Sequence, residues 1–313
     1  MVLVLIYRYM NKLFKISFIA ILFLASCSKS DSKDSSIDNE GGIVPVIPTS
    51  VMIDSNTPTD VLPDNTNIGQ DWKLDFSDEF AGNTINNSRW RIDESQKSRA
   101  ARSKLGINQW FWKKDNVSVE HGYLVLKVSK PASGTMYCGS INSSGKYTRK
   151  YGYFEAKISI ANTNMGTHTA FWLQSPTMGN VDGTANDGAE IDIFESAWAN
   201  DYTQMNLHYD GYGKNHKSVA RGFNTPGIHN GYHTWGLLWT EKYIKVYYDG
   251  IYKAQYSKSI LIPHAEEYVW LSDGAAFIES GSKYFTDRPL GTLTNAYVDY
   301  VRVWKYTGND LPN

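Results

Sequence analysis

Apolar and polar positions alternate along short segments of this chain, and turn residues break the alternation at close intervals. "NVSVEHGYLVLKVSK" predicts two strands around His121-Gly122, and "YGYFEAKISI" predicts one over 151–160. "KYIKVYYDGIYKAQY" (242–256) predicts a hairpin with Asp249-Gly250 as its turn. "YVDYVRVW" (297–304) alternates again near the C-terminus. No long stretch has the 3.6-residue period of an amphipathic helix. Regular strands with turn signals predict an all-β fold, an antiparallel β-sandwich or jelly roll.

The first 26 residues follow another pattern. Lys12 and Lys15 precede an apolar run, Ile16 to Leu24, which ends in Leu-Ala-Ser before Cys27. A basic start, a short apolar stretch and small residues at the end describe a secretory signal. The run is short for a membrane span. The Cys after the small residues resembles a bacterial lipobox, which implies cleavage before Cys27 and its acylation. Residues 27–68 are rich in Ser and Asp and then in Pro, and predict a disordered linker. That leaves residues 69–313 as one domain. The acidic stretch after Cys27 resembles the export signal of surface lipoproteins, so the expected location is the outer face of the outer membrane, held by a lipid anchor.

The 313 residues carry a net charge of −1. Residues 1–68 hold five Lys or Arg and seven acids, so the domain carries +1 and is no dedicated nucleic-acid binder. Two cysteines, one of them in the lipobox, exclude a disulfide scaffold, and Cys138 reads as a buried small hydrophobe. Aromatic residues are abundant at 14%, with 10 Trp and 21 Tyr, which calls for a use beyond ordinary core packing.

The candidate chemistry lies in "DGAEIDIFESAW" (187–198). Ile191 and Ile193 alternate with Glu190 and Asp192, so the strand has an apolar face and an acidic one. Like charges side by side on a strand face repel. Glu195, five positions after Glu190, falls on the wrong face of a regular strand. A β-bulge at Ile193-Phe194 brings it back into phase. Glu190 and Glu195 are then about 13 Å apart at Cα. On a concave face their carboxyls can converge to about 5 Å, the separation of a retaining glycosidase. Asp192 between them would raise a neighbour's pKa. A solvated acidic strand face is the competing explanation.

"EIDIFE" resembles the bulged E-x-D-x-x-E signature of glycoside hydrolase family 16, which includes laminarinases, mixed-linkage glucanases, agarases, porphyranases and carrageenases. "DEFAGNTINNSRW", "NVSVEHGYLVL", "KYGYFEAKI", "HTAFWLQS", "HTWGLLWTEKYIKVYYDG" and "VDYVRVW" match in order over nearly all of 69–309. The resemblance implies Glu190 as nucleophile, Glu195 as general acid/base and Asp192 as the orienting residue, on a jelly roll whose concave cleft binds a polysaccharide. It implies a monomer, and no cofactor for catalysis. It also implies substrate contacts from Trp110, Trp112, Asn116, Trp172, Trp198 and His208. Many relatives carry a structural calcium, which makes Asp299 a candidate metal ligand.

Trp72, Trp90, Trp235, Trp239, Trp270 and Trp304 are expected in the core. His229 and His233 are four apart, but "HNGYH" reads as a turn rather than a zinc helix, and His216 and His264 suggest no site. The near-neutral domain favours a β-1,3- or mixed-linkage glucan. The basic loop "QKSRAARSK" (96–104) leads into Trp110 and keeps a β-galactan open. A non-catalytic carbohydrate-binding lipoprotein is the rival from another class, and it leaves the three acids unexplained.

Overall fold

A computed structural model describes residues 52–99, 109–132, 134–275, 289–291 and 293–309. The signal (1–26), Cys27, the first part of the linker and most of the basic loop lie outside these residues. No described helix is long and apolar enough to cross a membrane.

Among the described residues, seventeen strands build two sheets. In chain order they are β1 (Trp72–Asp78), β2 (Arg91–Ile92), β3 (Gln109–Trp112), β4 (Val117–Glu120), β5 (Tyr123–Ser129), β6 (Thr135–Cys138), β7 (Ser140–Asn142), β8 (Gly152–Ser159) and β9 (Thr169–Gln174). There follow β10 (Glu190–Ser196), β11 (Tyr202–Tyr209), β12 (Lys217–Asn224), β13 (His233–Trp239), β14 (Ile244–Tyr248), β15 (Ile251–Tyr256), β16 (Tyr268–Ser272) and β17 (Leu293–Tyr306). One sheet runs β15-β14-β13-β8-β17-β5-β6-β3, with β1 on β17 and β4 on β5; the other runs β12-β11-β10-β9-β16-β7-β2. This is the expected sandwich, with one departure: β3 and β6 pair in parallel at the end of the larger sheet.

The predicted turns form for the predicted reason. Asp249 and Gly250 take φ of 49° and 70°, and His121 and Gly122 take 54° and 82°. Two consecutive positive φ values define the tight hairpin turn whose twist suits flanking strands.

The inward side chains of both sheets make the core. From the smaller sheet come Phe171, Leu173, Ile191, Phe194, Leu207, Val269 and Leu271; from the larger come Phe154, Ile158, Trp235, Leu237, Val298 and Val301. Phe194 stacks on Trp235 across the interface, with ring centroids 3.8 Å apart. Trp72, Trp90, Trp235, Trp239 and Trp304 are buried as expected, and Cys138 is buried and free.

Residues 52–68 correct the expected linker boundary. Met52 and Ile68 are buried. Asp54 Oδ2 accepts from Glu79 N (3.1 Å) and from Arg89 Nη1 (3.4 Å). Trp304 Nε1 donates to Val61 O (2.9 Å), and Asp64 N donates to Glu155 Oε2 (2.9 Å). The segment has too few apolar residues to fold alone, but it supplies polar partners to groups that the sandwich would otherwise leave buried and unpaired.

Candidate active site

The bulge sits where the residues require it. Along the unbulged β9 the partners of Glu190, Asp192 and Glu195 are Gln174, Trp172 and Ala170, each two residues apart. Along β11 they are His208, Asn206 and Gln204. Steps of two keep one face of a strand, so all three acids point the same way. Ile193 and Phe194 both turn into the core, since burying two apolar side chains in succession is what shifts Glu195 by one place. Gly188 leads into the strand at φ 143°, where a Cβ would run into Thr177 and Ser175.

Glu190, Asp192 and Glu195 line one pocket with His168, Trp172 and Arg99. Gln174 Nε2 donates to Glu190 Oε2 (2.8 Å), and Tyr268 OH donates to Gln174 Oε1 (2.6 Å). His168 Nε2 is 2.9 Å from Glu195 Oε1, and Asn206 Nδ2 donates to Glu195 Oε2. His208 Nε2 is 3.4 Å from Asp192 Oδ2. Glu190, Asp192 and His208 present polar atoms all within 4.8 Å of one another.

Electrostatics divide the acids. Burial, then the charge of Asp192, pushes Glu190 up to about 8. Burial, then Glu195, pushes Asp192 well above the usual carboxylate range. Burial acts on Glu195 as well, but His168, by charge and hydrogen bond, together with His208 and Gln204, outweighs it, and Glu195 is held below its ordinary value. These surroundings therefore favour the protonated form of Glu190 and of Asp192 and the ionised form of Glu195.

The aromatic residues form a wall beside the acids. Trp172 stacks on Trp270, with centroids 4.1 Å apart and planes 7° apart. Trp270 tilts against Trp112 at 5.3 Å, and the Arg99 guanidinium lies over the Trp112 ring, 3.4 Å from its centroid. Trp110 meets Trp112 edge-on at 5.9 Å, and its ring lies where a side chain on Gly274 would point.

Trp110, Trp112, Trp172 and His208 are thus at the site, and three expectations are corrected. Trp270 belongs to the wall, not the core: Val269 and Leu271 face inward, so Tyr268, Trp270 and Ser272 face the cleft. Asn116 is away from the pocket; its buried amide donates toward Lys127 O, Ser129 Oγ and Tyr137 O and ties β5 to β6. Trp198 lies past the end of β10, edge-on to Tyr202 at 4.9 Å, outside the pocket around the acids.

Asp299 pairs with Lys157 Nζ at 2.8 Å. An ammonium group thus stands where calcium would need oxygen ligands, and among the described residues Asp299 joins no cluster of His, Cys and carboxylate side chains. The residues here do not fit that ion.

Sequence reasoning missed His168, Gln174, Asn206 and His216. For His168 and Gln174 the signal was present: positions 168, 170, 172 and 174 share a face, and Trp172 was already assigned to it. His216, expected to have no site, lies against His208 with Nε2 2.9 Å from Nδ1.

The comparisons with known proteins agree with this geometry. The chain is 26% identical over 289 residues to a kappa-carrageenase of Pseudoalteromonas carrageenovora, covering 77% of this chain and 67% of that one. It is 29% identical over 199 residues to a beta-glucanase of Paenibacillus polymyxa, covering 63% and 76%. Its fold matches the catalytic domain of an endo-1,3-beta-glucanase (laminarinase) from Thermotoga petrophila with a TM-score of 0.61 at 20% identity, covering 76% of this chain and 99% of that one. The glycosyl hydrolases family 16 profile matches residues 107–271, a span that runs from the Trp110 wall through the bulged strand to Trp270. An acid triad phased by a bulge, on a sandwich of this topology and under that profile, means that the chain belongs to glycosyl hydrolases family 16.

Proposed function

We propose that this glycosidase is a retaining, endo-acting hydrolase of a β-linked polysaccharide, with Glu190 as nucleophile and Glu195 as acid/base. The observation that carries the reading is the bulge, which puts Glu190 and Glu195 on one face, four strand steps apart. In the first step the Glu190 carboxylate attacks the anomeric carbon while Glu195 protonates the departing glycosidic oxygen. In the second, Glu195 takes a proton from water, and that water releases the sugar from Glu190. The arrangement that the pocket favours has the proton on Glu190 and the charge on Glu195. It differs from the reactive arrangement by one proton, moved from Glu190 to Glu195, and Asp192 lies between them.

A neutral β-1,3- or mixed-linkage glucan suits the near-neutral domain and the aromatic wall, since Trp faces pack on the apolar faces of sugar rings. A β-galactan of the agarose, porphyran or carrageenan type is the second reading. It is favoured by Arg99, which brings a cation into the pocket from the basic loop. The lipobox at Cys27 supports an enzyme tethered at the outer membrane and facing outward.

Incubation with laminarin, mixed-linkage glucan, agarose, porphyran, carrageenan and β-1,3-galactan tests the reading. Oligosaccharides are expected from one of these classes, with the β-anomer first in a proton NMR time course. A first-formed α-anomer, or unchanged release by Glu190→Gln, overturns the assignment.

A further inference from the structure

We infer that His216 is a positioning residue for this reaction: it fixes the tautomer and direction of His208 and thereby whether a proton or a lone pair of His208 faces Asp192. The inference rests on the glycosidase reading above and concerns the turn 210–216, "DGYGKNH", between β11 and β12.

His208 stands opposite Glu190 in the β10–β11 register. Its two ring nitrogens have different neighbours. Nε2 faces Asp192 Oδ2 at 3.4 Å, and Nδ1 faces His216 Nε2 at 2.9 Å. The two imidazoles are parallel within 4°, yet their centroids are 5.1 Å apart, against 4.1 Å for the face-to-face pair Trp172 and Trp270. A nitrogen contact of 2.9 Å at that separation means that the rings lie edge to edge, with the hydrogen bond along their common plane.

One hydrogen bond carries one proton. If His216 donates from Nε2, His208 accepts at Nδ1 and points its own Nε2–H at Asp192. If His208 donates, it offers Asp192 a lone pair, and Asp192 must supply the proton. The partner of one ring nitrogen thus decides what the other presents. Burial, then the charge of His208, pulls His216 down to about 4, so it is a neutral partner in the range where the reaction runs.

The turn that carries His216 is firmly held. Asp210 adopts φ 62°, a conformation that non-glycine residues seldom take. Its carboxylate accepts from Asp182 N (3.2 Å), Gly183 N (3.0 Å) and Lys217 Nζ (2.6 Å). Gly211 N donates to Met178 O (2.8 Å). Tyr212, in the same turn, comes near enough to Glu190 to oppose the rise of its pKa, and its ring lies 5.2 Å from that of His216. One turn therefore reaches both Glu190 and, by way of His208, Asp192.

His216→Phe keeps a ring and removes the nitrogen; His216→Gln keeps a hydrogen-bonding atom near the Nε2 position. Misdirected groups beside the reacting atoms are expected to lower kcat about 10- to 100-fold in His216→Phe, with KM and Tm little changed and most of kcat restored in His216→Gln. Long-range proton–nitrogen NMR spectra of the imidazoles should show one tautomer of His208 in the unaltered protein and a mixture in His216→Phe. Wild-type kcat in His216→Phe, an unchanged His208 tautomer, or equal loss of kcat and Tm in both variants overturns the inference. The NMR arm needs no turnover. An unaltered protein inactive on every polysaccharide would therefore sink the glycosidase reading alone and leave the tautomer result to decide the role of His216.

Discussion

His168 Nε2 lies 2.9 Å from Glu195 Oε1, and both side chains are largely enclosed. His168 also lies near the buried Asp273, whose Oδ1 accepts from Thr169 Oγ1 at 2.7 Å. The imidazole thereby couples Glu195 to a second carboxyl behind it. This pairing, not exposure to solvent, is the largest influence that holds the Glu195 carboxyl below its ordinary value.

The pH dependence of kcat/KM follows from that pairing, because it reports the free enzyme. Glu190, at about 8, loses its proton as pH rises through that value, and the pocket then lacks the proton that must pass from Glu190 to Glu195 for the first step. Activity should fall on the alkaline side near pH 8. The acid limb marks protonation of Glu195, which removes the last charge that can become the nucleophile. His168→Gln removes the strongest of the groups that oppose burial of Glu195, raises its pKa and moves the acid limb to higher pH. A limb that stays in place in His168→Gln would disprove the coupling.

Trp270 and Trp198 should respond in opposite ways to mutation. Trp270 stacks on Trp172 and tilts against Trp112, and an aromatic pair contributes about 1 kcal/mol beyond its buried area. Trp270→Ala is expected to raise KM for a polysaccharide about tenfold with a smaller change in kcat. Trp198→Ala should change KM less than about twofold, within about 0.4 kcal/mol. Initial-rate kinetics on the polysaccharide that is cleaved distinguishes them, and equal effects would contradict the assigned wall.

Truncation should locate the domain boundary. A chain beginning at residue 52 keeps Met52 and Ile68 buried and Asp54 paired with Arg89. A chain beginning at residue 69 loses them and strips partners from Glu155 and Trp304. The shorter chain should melt about 10 °C lower, the effect of a few kcal/mol on a domain of this size. Calorimetry of the two chains measures it, and equal Tm values would restore the boundary at residue 69.

Glu155 should make stability depend on pH. Burial raises its carboxyl from an ordinary 4.5 to about 7, against hydrogen bonds from Tyr300 OH (2.9 Å) and Asp64 N (2.9 Å). Below about 4.5 both folded and unfolded chains are protonated there, and nothing is lost. Between about 4.5 and 7 the unfolded chain ionises first, so stability falls as pH rises, by about 3 kcal/mol in all. Glu155→Gln removes this titration. Urea unfolding of both proteins from pH 4 to 8 should show the wild type losing ground to the variant up to about pH 7 and holding level above it. Parallel curves would argue against the buried acid.

Short-range patterns made the fold class, the two tight turns and the bulged acid triad legible in the sequence. Alternation has a period of two, and Glu195 five places after Glu190 can share its face only through one inserted residue. These are properties of one strand or one turn, and a single stretch of chain determines them. The partners of the acids are another matter. His168 reaches Glu195 from the start of β9, and His216 reaches His208 across a turn. Trp270 joins Trp172 only because β16 lies beside β9. Such neighbours depend on the order of strands in the sheet and on the register between them, which no local pattern carries. The same holds for Asn116, whose amide the tertiary structure uses to tie β5 to β6, and for residues 52–68. Too polar to fold alone, that segment is ordered by buried donors and acceptors that exist only once the sandwich has formed.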